Sequence, residues 1–187
     1  ASIWSCSMPG SPGLWLGSWL RFVSRQRMAP YVPTPPEVVE RMLTMARLKA
    51  GERLVDLGSG DGRLLRAAVQ DFGAARADGF ELDARLVEIA RQETPAELAD
   101  RVVTHQRDAK SAGAELCGAD VVTLYLSDRG NAEMLPLLQQ SLTPNARIVS
   151  FAWTMPDGIE PVRSSRLPKS MLQVHLYEGL GERSDGA

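Results

Sequence analysis

Apolar residues recur along this chain with two different periods. Between 36 and 48, Val38, Val39, Met42, Leu43, Met45, Ala46 and Leu48 return every three or four positions, as on one face of an amphipathic helix. Thr34 is its expected N-cap, Pro35 its first residue, and Glu37 completes a capping box. Lys49-Ala50-Gly51-Glu52 reads as a turn. Beyond it, short β-like runs exchange places with helical ones. Strand 53–57 leads to helix 62–72, and strand 76–81 to helix 84–94, which closes near Pro95. Strand 102–107, a short helix near 111–117, strand 119–126, helix 131–142 and strand 146–152 continue the series. Such alternation predicts an α/β fold, doubly wound, with a mostly parallel sheet covered on both faces. Val121-Val122-Thr123-Leu124-Tyr125-Leu126 is almost wholly apolar or β-branched, as a central buried strand should be. The last runs, 159–164 and 171–178, have no helix between them and predict an antiparallel hairpin at the sheet edge.

Composition narrows this picture only a little. A chain of 187 residues suits one domain with a single sizeable core. A net charge of −2 gives no general reason to expect a nucleic-acid partner, but the charge is unevenly spread. The first 36 residues carry Arg21, Arg25 and Arg27 and no acid. Residues 1–29 read as a leader: Trp4, Trp15 and Trp19 stand among Gly, Ser and Pro, and the apolar run 14–20 is followed by a basic one. That run is shorter than the ~20 residues of a spanning helix. It fits part of a mitochondrial targeting segment, an interfacial anchor, or a disordered leader before a start at Met28. Cys6 and Cys117 lie far apart and have no metal-ligand spacing, while His105 and His175 fall inside strand-like runs.

The chemistry concentrates at residues 55–63, Val-Asp-Leu-Gly-Ser-Gly-Asp-Gly-Arg. A strand, a glycine turn and a helix start within one short stretch bring a nucleotide-like ligand against bare backbone. A dinucleotide fingerprint, G-x-G-x-x-G/A, requires a small third residue, and here that position is Arg63. Asp56 at the strand end suits a ligand bearing a cationic group and would repel a pyrophosphate. Glu81 ends the second strand about 20 residues past the turn, where a carboxylate can accept from two vicinal ribose hydroxyls. The third strand runs into Arg107-Asp108-Ala109.

This D-x-G-x-G-x-G pattern, with acids at three successive strand ends, resembles the class I S-adenosylmethionine-dependent methyltransferases. The resemblance implies their Rossmann-like seven-stranded sheet with an antiparallel last strand. It also implies S-adenosylmethionine as cofactor. Gly58, Ser59 and Gly60 would then wrap its methionine part, with Asp56 near the amino group. Glu81 would lie at the ribose hydroxyls and Asp108 at the adenine amino group, with Leu82 and Ala109 also among the cofactor-binding residues. Tyr31 and Thr34 could fold over the cofactor, although N-capping alone accounts for Thr34. Tyr31-Val32-Pro33-Thr34-Pro35 and the strand 119–126 look like a narrower group. These are the small protein-lysine methyltransferases that modify mitochondrial carriers and ATP synthase c-subunits, with archaeal relatives. That likeness covers about residues 30–178, the expected methyltransferase domain, and leaves 179–187 as a tail.

The narrower likeness implies a protein substrate with an acceptor lysine, membrane proteins included, and neither nucleic acid nor metal. Tyr125 would line the acceptor channel, and Asp128 would take a proton or steer the cation. A core or strand-end aromatic and a helix N-cap or loop acid are the plainer readings of these two. Tyr125-Leu126-Ser127-Asp128 lacks the Asn/Asp-Pro-Pro-aromatic signature of many methyltransferases that act on planar amines. Phe151-Ala152-Trp153-Thr154-Met155 departs from the family pattern. A small-molecule or RNA methyltransferase and a non-catalytic binding module are the competing readings.

Overall fold

In the computed structural model, residues 31–168 and 171–181 are described. The expected leader at 1–29 lies outside them, as does most of the tail. Seven strands form one sheet: β1 Arg53–Leu57, β2 Arg76–Glu81, β3 Val102–Gln106, β4 Val121–Leu124, β5 Arg147–Phe151, β6 Arg163–Arg166 and β7 Gln173–Glu178. Their order is β3-β2-β1-β4-β5-β7-β6, parallel except at β7, which runs antiparallel to both of its neighbours. The parallel series and the terminal antiparallel hairpin are those the apolar pattern predicts. Among the described residues five α-helices accompany the sheet: α1 Pro36–Met45, α2 Arg63–Gln70, α3 Ala84–Glu93, α4 Gly113–Leu116 and α5 Asp128–Ser141. Alternate residues of the central strands feed two cores. Leu54, Val121 and Val149 pack with α1 and α2, whereas Val55, Val122 and Ile148 pack with α4 and α5.

Several boundaries differ from expectation for identifiable reasons. Pro35, not Thr34, caps α1, and its carbonyl accepts from Val38 and Val39 at 2.9 and 3.0 Å. Pro36 takes the first helical position, where a missing N–H costs nothing. The helix ends at Met45 rather than Leu48 because Arg47 enters the left-handed region at φ 53°. Arg47 N donates to Thr44 O and Leu48 N to Leu43 O, a Schellman closure formed without the usual glycine. Strand β6 begins at 163 instead of 159, directly after Pro161 and Val162, since proline cannot donate to a ladder. Helix α5 starts at Asp128, three residues early. Its cap is Ser127, whose Oγ accepts from Gly130 N at 3.1 Å, so Asp128 is a first-turn acid and not the cap. Strand β4 stops at Leu124, which leaves Tyr125 half-buried at the rim of the sheet.

Candidate active site

Strand order reverses between β1 and β4, and ligands of open α/β sheets bind beyond the carboxyl ends of the strands at such a point. A cleft lies there. Its walls include Tyr31, Thr34, Asp56, Gly58, Ser59, Gly60, Glu81, Leu82, Ala109 and Tyr125, all of them sequence-predicted. Asp108 and Asp128 are not among its lining residues. The Asp108 carboxylate accepts from Lys110 N at 2.9 Å and caps the 3-10 turn Ala109–Ser111. Asp128 is exposed on the first turn of α5.

The floor of the cleft is the β1–α2 turn. Gly58, Gly60 and Gly62 have φ of 93°, 54° and 74°, backbone that only glycine adopts freely. The amides of Gly58 and Ser59 both donate to Phe80 O, at 2.9 and 3.0 Å, which fixes the turn to β2. Glu81 tightens it further: Oε2 accepts from Gly60 N at 3.0 Å and Oε1 from Asp83 N at 2.8 Å. Each oxygen retains a second lone-pair site for a ligand. Gly79 of β2 is tightly confined, since a Cβ there would sit 2.6 Å from Ser59 Cβ and 2.5 Å from Leu65 Cδ1. The strand pattern gave no hint of that requirement. Ser59 Oγ is buried with no hydrogen-bond partner.

Behind the turn, Asp56 is 6% exposed and receives a hydrogen bond from Thr123 Oγ1 at 2.7 Å. These residues are register partners on β1 and β4, so their side chains share one face. Burial, opposed by the Thr123 bond and reinforced by Glu81, pushes the Asp56 carboxyl up to about 7. An ammonium group arriving beside it would restore the carboxylate. A cationic ligand therefore gains an ion pair that the free protein lacks.

Sequence reasoning missed the residues that tie the leading segment to the turn. Arg63 holds Asp61 in a forked pair, Nε lying 2.9 Å from Oδ1, and its Nη1 donates to Thr34 O at 3.0 Å. Burial raises the Asp61 carboxyl, but Arg63 outweighs it and holds the group below its ordinary value. Tyr31, hydrogen-bonded to Asp61, rests its ring over Gly60, where a Cβ would come within 2.7 Å. In sequence Arg63 was informative only because it is not small. Arg107 also lines the cleft, its guanidinium 5.1 Å from the Phe80 ring centroid.

Comparison with known proteins agrees with this geometry. A structure of an RNA methyltransferase from Salinibacter ruber, in complex with S-adenosyl-L-homocysteine, superposes with a TM-score of 0.74 at 36% identity. It covers 83% of this chain and 98% of that one. The fold and site are those of a class I methyltransferase. The match to the ANTKMT methyltransferase domain over residues 56–163 is more specific, and the chain belongs to that family. A protein-lysine N-methyltransferase of Saccharolobus islandicus is 34% identical over 124 residues, spanning 65% of this chain and 74% of the relative. The adenine nucleotide translocase lysine N-methyltransferase of Mus musculus is 34% identical over 137 residues, spanning 73% and 58%.

Proposed function

We propose that this chain transfers a methyl group from S-adenosylmethionine to the ε-amine of a lysine in a protein. The observation that carries the reading is the buried Asp56 carboxyl beneath a turn of three left-handed glycines. The cradle fits this donor: the turn leaves room where side chains would stand, and Asp56 meets its ammonium. Gly58, Ser59 and Gly60 then bind the methionine part, and Glu81 the ribose hydroxyls. Phe80, Leu82 and Ala109 furnish apolar walls for the adenine, with Asp108 ordering the turn that carries Ala109. Tyr31 and Thr34 cover the site from the leading segment.

When bound, S-adenosylmethionine supplies an electrophilic methyl on a sulfonium. The chain must present a neutral amine in line with it and keep water out. Tyr125 and Leu126 line the cleft, and apolar surroundings disfavour an ammonium, easing its loss of a proton. Burial raises the Tyr125 hydroxyl above its ordinary value, so it stays protonated and offers a hydrogen bond rather than a base. Asp128, exposed at the start of α5, steers the incoming cation.

The acceptor we favour is a membrane protein, supported by the name of the mouse relative and by the apolar and basic leader. If that leader targets the chain, the mitochondrion is its compartment. The Salinibacter relative's name favours RNA instead. Incubation with tritiated cofactor, a membrane-protein extract and total RNA decides between them. Label on lysine is expected, and label confined to RNA would overturn the reading.

A further inference from the structure

Several features converge where β5 leaves the sheet. Ala152 has φ of 68°, backbone that an alanine adopts only under strain. Across it, Trp153 N donates to Phe151 O at 2.9 Å, a γ-turn of the rare positive-φ kind. The surrounding backbone is over-determined. Asn131 of α5 is wholly buried, and its Nδ2 lies 3.1 Å from Trp153 O, 2.9 Å from Thr154 O and 3.2 Å from Ser150 Oγ. Ser150 Oγ also donates to Trp153 O at 2.5 Å. Ala152 N donates to Gln173 O at 2.8 Å, and Met155 N to the buried Tyr177 hydroxyl at 3.0 Å. Asn131 Oδ1 is buried with no hydrogen-bond partner, so the side chain acts here through what it donates. All of this fixes in place a residue whose own side chain, the Trp153 indole, is left 43% exposed.

The turn lies beside the acceptor end of the site. Leu124 and Ser150 are register partners, so β4 and β5 finish side by side at one edge of the sheet. Tyr125 follows Leu124, lines the cleft, and packs its ring on Phe151 with centroids 4.6 Å apart. Trp153 comes two residues after Phe151. Tyr125 and Phe151 are thus paired where β4 and β5 end, Phe151 within the core, and Trp153 follows across the turn as a partly exposed indole at the same edge of the sheet.

We propose that Trp153 recognises the acceptor's cationic side chain at the mouth of the site, and that Asn131 is the positioning residue that holds it there. The proposal rests on the lysine reading above and adds a residue to it. Among aromatic faces an indole attracts an ammonium best, and a lysine's methylene stem packs on the same surface. Trp153 would engage the protonated side chain before the amine enters the drier region beside Tyr125. No bond is made or broken at this step.

The test uses the full chain saturated with S-adenosylhomocysteine. It is titrated with an apolar peptide bearing one central lysine, and with a counterpart bearing norleucine, which is uncharged. The wild type should prefer the lysine peptide by about tenfold. Trp153→Ala should abolish that preference with an unchanged melting temperature, and Trp153→Phe should keep most of it. Asn131→Leu, which keeps the volume and cannot donate, should lose the preference while binding S-adenosylhomocysteine normally. An undiminished preference in Trp153→Ala, or none in the wild type, would overturn the proposal. Tritium labelling separates the two claims: lysine labelled while Trp153→Ala keeps its preference removes this inference alone. Label absent from lysine removes both.

Discussion

The two ends of this site are built differently. The donor end is made mostly of backbone and short side chains: left-handed glycines, amides clamped to Phe80 and Glu81, and one buried acid. The end we assign to the acceptor is made of large side chains at strand exits, Tyr125 against Phe151, with the Trp153 backbone held by Asn131. A donor common to many reactions needs one fixed cradle, and backbone geometry supplies it cheaply. An acceptor specific to one enzyme needs a surface that side chains can vary without disturbing the sheet. Substitutions that move the donor-end backbone should therefore damage cofactor binding and fold together, and those of exposed acceptor-end side chains should spare both.

Gly79→Ala should test this division most severely. The new Cβ meets Ser59 Cβ at 2.6 Å, so the turn itself must shift. Overpacking of this kind costs roughly 1–3 kcal/mol, seen in a denaturant melt, and cofactor affinity should fall more than about tenfold with it. Unchanged affinity would mean that the turn tolerates movement. A pH series gives the next largest effect. The folded Asp56 carboxyl is raised to about 7 from 3.8, so the native state holds a proton that the unfolded chain releases. The free protein's stability should accordingly fall as pH rises from about 4 toward 7, and Asp56→Asn should flatten that slope. Bound cofactor should reverse it, since the ion pair requires the carboxylate. A slope of the same size in Asp56→Asn would place the titrating group elsewhere.

At the acceptor end, Tyr125→Phe should lower kcat about tenfold with S-adenosylhomocysteine affinity unchanged, read by single-turnover label transfer. A loss of cofactor affinity instead would move Tyr125 to the donor side. Asp128→Asn should be the mildest change, about threefold or less in acceptor KM and within ~0.5 kcal/mol in stability, because Ser127 supplies the cap.

This contrast also governs what the chain discloses unaided. β1, β2 and the order of elements are legible because period-two runs and glycines state backbone requirements directly. Asp56 and Glu81 are legible because their spacing from the glycines is fixed by a strand and a helix. Arg47 closing α1 is not legible, since a left-handed arginine carries no local signal. Neither is the Asp61–Arg63 fork, whose partner Thr34 lies 29 residues away. Asp108 is legible only in part: its position after β3 marks it, but not that its Oδ1 accepts from Lys110 N and caps the turn there. Asn131 and Trp153 are joined across 22 residues by contacts that no periodicity records.

The central claim is that Asp56, beneath the glycine turn, holds the cationic end of the methyl donor. Calorimetric titration of the wild type and Asp56→Asn with S-adenosylhomocysteine at pH 8 tests it most directly. The amide keeps the shape of the acid and can still accept from Thr123, so only the charge changes. The account predicts one site per chain and an affinity about 10- to 100-fold weaker in the variant, the loss of one buried ion pair. Equal affinities in the two proteins, or no binding by the wild type, would contradict it.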